Sequence, residues 1–302
     1  MSRLNSAVRS LIRSRRVQSS ALASGAAEEF AKAYVAGESI DDAVQVVRTL
    51  HRQGLLASLA YLPSSDDEAE TTGVLCRALE ALGEDARGVE ISVKPSSLGL
   101  RESAASAQAR LEDLCGSTEA HGARVTLEMQ GTEDYDGVLA LWGGARERCD
   151  RIGLTLPADI RRSEREVVRL AAGGAPIRVC VGSYPVPQSS GYRSEREKSL
   201  AMVRCVRGAM ENGAYTMVAS HDPTIIAIAQ DLARRNAVGR DGFEFQMFYG
   251  VRPLEQRRLT DIGYRSRTYV PFGPAWFEYL TTRIAARPRT LYSYLRAISD
   301  KR

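Results

Sequence analysis

At 302 residues, with 44% hydrophobic and 26% charged side chains, the chain has the make-up of a globular protein long enough for one large domain or two small ones. A formal net charge of +4 is small for this size, and no Lys/Arg block interleaves with aromatics, so an electrostatic nucleic-acid binder is excluded. Five scattered cysteines without a CxxC pair and only three histidines argue against structural zinc or a His-rich metal site, and point to a reducing cytoplasm.

The first 16 residues carry Arg3, Arg9, Arg13, Arg15 and Arg16 with no acid. With Leu4, Val8, Leu11 and Ile12 they read as a helix docked on the domain. A presequence, or peripheral contact with the inner face of a membrane, is the competing reading. No apolar run approaches the ~20 residues that span a bilayer. One or two helices between Ala26 and Arg52 complete an N-terminal helical arm, residues 1–54.

From Leu55 short β-rich runs alternate with longer helical segments. The predicted strands are Leu55–Leu62, Val89–Lys94, Arg124–Met129, Gly153–Ala158, Ile177–Tyr184, Tyr215–Ala219, Phe243–Phe248 and Arg267–Val270. The predicted helices between them are Asp67–Leu82, Glu102–His121, Tyr135–Cys149, Glu164–Ala172, Ser194–Asn212, Pro223–Arg234 and Pro253–Ile262. Ser163 before Glu164 and Asp222 before Pro223 read as helix caps. Eight β/α pairs in strict alternation require parallel strands and crossover helices. At this length they favour a closed (β/α)8 TIM-type barrel, residues 55–290, with a tail over 291–302.

After the last strand comes a helix from Trp276 to Arg283, on which Trp276, Tyr279 and Arg283 share a face. That face is either a core stripe or a lid over the barrel mouth.

In such a barrel the C-terminal strand ends hold the active site. The polar candidates there are Lys94, Glu128, Arg178, Ser220, His221, Glu244, Gln246 and Tyr269. Charges in parallel strands are expensive unless paired. Lys94 with Glu128 also reads as a structural ion pair, and His221 as a histidine at a helix start. Arg178, beside Gly182 where backbone can approach a ligand, suits an anion or a flat, electron-rich ring.

Five segments in order resemble the signature segments of the proline dehydrogenase family: Ile91-Ser92-Val93-Lys94-Pro95-Ser96-Ser97-Leu98-Gly99, Ile177-Arg178-Val179-Cys180-Val181-Gly182-Ser183-Tyr184, Val218-Ala219-Ser220-His221-Asp222, Glu244-Phe245-Gln246-Met247-Phe248-Tyr249-Gly250 and Tyr269-Val270-Pro271-Phe272-Gly273. The resemblance runs from about Leu55 to Arg287. It implies a barrel that holds FAD at the strand ends, with the last helix lying over the substrate. By the same resemblance Arg178 lies near flavin N5, and Val181, Gly182, Ser183 and Tyr184 continue its segment along the cofactor. Ser220 and His221 match a Thr-His pair at the adenine end, and Glu244 and Gln246 match the family's Glu-Phe-Gln. Lys94 and Glu128 stand at positions near the reaction, while Tyr269, Tyr279 and Arg283 match residues that pack on and clamp the amino acid.

The implied reaction removes hydride from the α-carbon of an amine or imino acid, giving an imine. A quinone or oxygen is the expected electron acceptor.

This chain departs from the family pattern at several positions. The last helix of the family reads Tyr-Leu-x-Arg-Arg with a later Glu, two arginines clamping the proline carboxylate. Here Thr282 replaces the first arginine and Ala286 the glutamate. Losing one guanidinium from a desolvated carboxylate costs about 2–5 kcal/mol, roughly 30- to 5000-fold in affinity. Pro157 replaces a Gln, Val181 a Lys, Ser183 an Ala, Phe248 a Leu and Ala60 an Asp. The expectation is therefore a substrate other than free L-proline: a related amine, imino acid or hydrazine, its carboxylate absent or masked as an ester, amide or carrier-protein thioester. Against this stand three alternatives. One keeps L-proline, bound by Arg283 alone or with Arg287. Another is a non-catalytic flavin binder, and the last an unrelated barrel for phosphorylated substrates. The last would need a Gly-rich loop, and Tyr249–Arg252 and Phe272–Ala275 are poor in glycine.

Overall fold

A computed structural model describes residues 32–64 and 70–286. The Arg-rich start, the tail and Arg287 lie outside the described residues. In chain order the elements are α1 (Ile40–Arg52), β1 (Leu56–Tyr61), α2 (Thr71–Leu82), β2 (Glu90–Val93), α3 (Ala104–Ala120), β3 (Arg124–Leu127), α4 (Tyr135–Arg146), β4 (Gly153–Pro157), α5 (Arg161–Ala171), β5 (Ile177–Cys180), α6 (Glu195–Glu211), β6 (Thr216–Ala219), α7 (Pro223–Arg235), β7 (Phe243–Phe248), α8 (Pro253–Asp261), β8 (Ser266–Phe272) and α9 (Trp276–Ala286). The strands run parallel in sequence order and β8 closes on β1, from Leu56 opposite Arg267 to Tyr61 opposite Phe272. This is the expected (β/α)8 barrel with a last helix after it.

Local chemistry sets the boundaries. Asp222 caps α7 through a bond from the Thr224 amide, with Pro223 in the first turn. Ser194 and Glu197 form a reciprocal capping box on α6. Ser163 does not cap: α5 starts two residues earlier, and the buried Ser163 hydroxyl meets the Tyr135 hydroxyl at 3.1 Å. The fifth strand is shorter than expected. It stops at Cys180 because the Gly182 amide leaves the ladder and donates to Asp159 Oδ1 at 2.7 Å. The eighth is longer and runs through Pro271, whose carbonyl accepts from the Ala36 amide.

Period-two alternation divides each strand between two environments. Outward residues such as Ile91, Val93, Val125, Leu127, Phe243 and Phe245 pack under the helices in one continuous core. The inward set is unusually polar. Three carboxylates, Glu90, Glu128 and Glu244, meet three guanidiniums, Arg124, Arg178 and Arg267, so the formal charges cancel.

A smaller apolar cluster holds α9. Trp276 and Leu280 pack with Tyr34, Val35 and Leu62, and Trp276 Nε1 donates to Glu38 Oε1 at 2.7 Å. The segment before α1 thus straps the last helix to the barrel.

Candidate active site at the barrel mouth

A cavity of about 550 Å3 opens at the C-terminal strand ends, bounded by β3 to β8, the start of α6 and the inner face of α9. Arg178 and Glu128 form part of its wall. Arg178 is 5% exposed. It pairs with Glu90 through Nη2 and donates from Nη1 to Ser92 Oγ at 2.8 Å and Thr155 Oγ1 at 3.4 Å. Its Nε is buried and has no acceptor among the described residues. Glu128 Oε1 accepts from Ser92 Oγ at 2.7 Å and from the Tyr269 hydroxyl at 2.9 Å. Burial alone would raise the Glu128 carboxyl, but Lys94, Arg178 and the two hydroxyls hold it below its ordinary range. Burial and the adjacent Glu128 push Tyr269 well above its ordinary value, so its hydroxyl remains a donor.

At the lid, the Arg283 guanidinium carbon lies 3.3 Å from the Phe248 ring centroid, 4.7 Å from Tyr279 and 5.9 Å from Tyr269. Arg283 Nε is also buried, without a hydrogen-bond partner among the described residues. On the other side of Phe248 stands His221, rings stacked at 5.0 Å, its Nε2 accepting from the Phe248 amide at 3.0 Å. His221 is therefore fixed with Nε2 as an acceptor, and its carbonyl accepts from Arg252 Nη1 at 2.6 Å.

Of the residues expected from sequence, Arg178, Glu128, Val181, Gly182, Ser183, Tyr184, Ser220, His221, Gln246, Phe248, Tyr269 and Arg283 all line the cavity. Lys94 sits half-buried just past β2 and acts on the wall through Glu128. Tyr279 lies against Arg283 in an adjoining crevice, and Thr282 is exposed. Glu244, expected beside the cofactor, lies near the start of β7 and away from the mouth. It is fully buried on the barrel floor, held by Arg267 Nε at 2.7 Å, Arg124 Nη2 at 2.8 Å and the Tyr215 hydroxyl at 2.8 Å. It does not itself line the cavity, although its Oε1 accepts from Nε2 of the cavity residue Gln246 at 2.6 Å.

Sequence reasoning missed Glu90, Ser92, Thr155 and Asp159. Alternation along Val89–Lys94 would have exposed Glu90 and Ser92, which share a face with Lys94. Asp159, whose carboxylate shapes the Gly182 loop, carries no local signal. A Cβ at Gly182 would lie 2.9 Å from Asp159 Oδ1, so the loop passes where a side chain is excluded.

The wall fits a flavin dinucleotide. A buried guanidinium N–H awaits an acceptor, the Gly182 backbone permits close approach, and Lys198 and Arg252 add cations suited to a pyrophosphate. Among the described residues no group of three metal-ligating side chains forms, and no helix is long and apolar enough to cross a membrane.

Fold and site together define a TIM-barrel protein with a ligand cavity at the mouth and an arginine-bearing lid helix. No family model matches the chain. Curated relatives do: proline dehydrogenase 1 of Bacillus subtilis (strain 168) is 31% identical over 275 residues, 90% of this chain and 91% of the relative. Proline dehydrogenase of Deinococcus radiodurans is 30% identical over 86% of each chain. Among solved structures, the proline utilization A protein of Bdellovibrio bacteriovorus inactivated by N-propargylglycine superposes with a TM-score of 0.78 at 21% identity. The match covers 89% of this chain and 33% of that one. The chain belongs to the proline dehydrogenase family, FAD-dependent oxidoreductases that act on CH–NH bonds.

Proposed function

We propose that the chain dehydrogenates a secondary amine of about proline size at its C–N bond, with FAD along the β4–β7 side of the cavity and the substrate between Glu128, Tyr269 and Arg283. We infer further that the preferred substrate has no free α-carboxylate, or carries it masked. The observation behind this is the lid: among the described residues Arg283 is the one arginine of α9 and is already packed on Phe248, while Thr282 is exposed.

When bound, FAD supplies a hydride acceptor at N5, turning C–N into C=N. The chain's own residues do the rest. Arg178 offers its unpartnered Nε–H to the cofactor and steadies negative charge there. Both hydroxyl bonds to Glu128 end on Oε1, which leaves Oε2 to take the ammonium proton, and an ammonium cannot release hydride until that proton is gone. Tyr269 and Phe248, in T-shaped contact at 5.4 Å, hold the apolar ring of the substrate, and α9 excludes water above it.

A second reading, oxidation of L-proline itself, is favoured by the 31% identical relative of that name. Anaerobic addition of L-proline and of cyclic, N-substituted and carboxyl-masked amines to the FAD-loaded protein separates the two. Bleaching of the visible flavin bands by a masked amine at lower concentration than by L-proline is the expected outcome. Preferential bleaching by L-proline selects the second reading, and no bleaching by any amine refutes both.

A further inference from the structure

We infer that Glu90 is a positioning residue for Arg178, fixing which edge of its guanidinium is offered to the cavity. The inference rests on the flavin reading above. Glu90 stands on β2 with its side chain fully buried. All four odd-numbered strands send a donor to it. Its Oε1 accepts from Ser58 Oγ of β1 at 2.7 Å, from Arg178 Nη2 of β5 and from Gln246 Nε2 of β7 at 3.3 Å. Its Oε2 accepts from Thr126 Oγ1 of β3 at 2.7 Å, with Arg124 Nε 3.4 Å away. A barrel in need of packing alone would place a branched aliphatic here, and a carboxylate taken out of water is retained against its desolvation cost only by such complete bonding.

What this arrangement achieves is visible at Arg178. Glu90 occupies Nη2, Ser92 and Thr155 occupy Nη1, and Nε is the one nitrogen of this guanidinium without a partner among the described residues. A planar guanidinium held at both Nη atoms has no freedom to turn. Glu90 thus presents the Nε–H to the cavity and partly neutralises the cation behind it. Glu244 makes an informative contrast. It is an equally buried carboxylate in the same interior network, yet it meets Arg124 and Arg267 and not Arg178.

The test uses the full chain loaded with FAD. Glu90→Gln keeps the shape of the side chain and removes its charge. The limiting rate of anaerobic flavin reduction should fall about 10- to 100-fold, as for a displaced electrostatic donor, with half-saturation by the amine changed less than about threefold. The flavin midpoint potential should move to more positive values. Glu244→Gln should lower thermal stability while leaving limiting rate and potential near parental values. Parental rate and potential in Glu90→Gln would overturn the inference. So would equal changes in both variants, which mean charge balance alone. Should Glu90→Gln fail to fold, Thr126→Val removes one hydrogen bond to Glu90 without altering charge; a several-fold rate loss supports the inference and an unchanged rate refutes it. A native chain that takes up no FAD defeats the flavin reading and this inference together, whereas normal FAD uptake with an unaffected Glu90→Gln defeats this inference alone.

Discussion

Restoring the absent arginine, Thr282→Arg, tests the substrate proposal most directly. Position 282 is exposed on α9, one residue before Arg283, whose guanidinium already packs 3.3 Å from the Phe248 centroid. A second guanidinium reaching a substrate carboxylate would add a charge-assisted hydrogen bond, about 1.5–3 kcal/mol. Ordering a long side chain that otherwise moves freely in solvent costs about 0.5–1.5 kcal/mol of that. The mid-range net gain, about 1.2 kcal/mol, corresponds to roughly 8-fold in affinity. The expected result is a KM for L-proline lowered by that factor, with the KM for an ester or amide of proline unchanged. Steady-state turnover with an artificial electron acceptor reads both. Equal improvement for free and masked substrates would show that position 282 acts through the helix and not through the carboxylate, and an unchanged L-proline KM would remove the argument from the single-arginine lid.

The remaining expectations concern the proton, the strap and the buried charges. Glu128→Gln should slow flavin reduction by about 100-fold at neutral pH, and a loss under threefold would take the proton-accepting role from this residue. Because the Glu128 carboxyl lies below its ordinary range, it is ionised throughout neutral pH, and its contribution to activity should fail only on the acid side. Gly250→Ala should cost about 2–3 kcal/mol, because φ there is +74° and a Cβ would sit 1.8 Å from the Ala33 carbonyl; calorimetry should show a Tm lower by roughly 5–10 °C. In Glu90, burial raises the carboxyl but Arg178, Arg124 and Arg267 outweigh it and bring it from 4.5 down to about 2, and Glu244 is lowered likewise by Arg124 and Arg267. A carboxyl depressed in the folded state stabilises fully above its unfolded value, so denaturant unfolding should show stability level above about pH 5 and lost as the pH falls from about 4.5 towards 2. Glu244→Gln should flatten that decline, and an unchanged slope would show that other groups drive acid unfolding.

The alternation of strands and helices was legible because most outward strand faces are rich in Val, Ile, Leu or Phe and several crossover helices announce their caps, as Asp222 and Ser194 do. Strand ends were less legible. Nothing local reveals that Asp159, two residues past β4, will take the Gly182 amide and end β5 at Cys180. Glu244 was misread for a related reason. Its neighbours Phe245 and Gln246 place it in a family segment, but only the register of β7, which sets Glu244 opposite Met217 and Gln246 opposite Ala219, tells floor from mouth. Position along the barrel axis is a property of the closed sheet and is absent from any one strand.

The same closure explains why this interior is charged at all. Removing six charged groups from water is costly, and a buried ion pair is often no more stabilising than the apolar residues that would replace it. The six are nevertheless arranged as a graded column. Glu244 with Arg267 and Arg124 lies on the floor, Glu90 gathers donors from four strands above it, and Arg178 and Glu128, joined through Ser92, reach the cavity wall. Each lower group fixes the one above it. Below the top layer Arg124 Nε also lacks a hydrogen bond, but it lies 3.4 Å from Glu90 Oε2; at the cavity wall the spare capacity is at Arg178 Nε and the second oxygen of Glu128, the two atoms that the proposed amine dehydrogenation would use, one for the cofactor and one for the substrate proton. On this reading the column persists because it holds two reactive groups in a dry pocket at fixed separation, a task that an aliphatic core would leave undone.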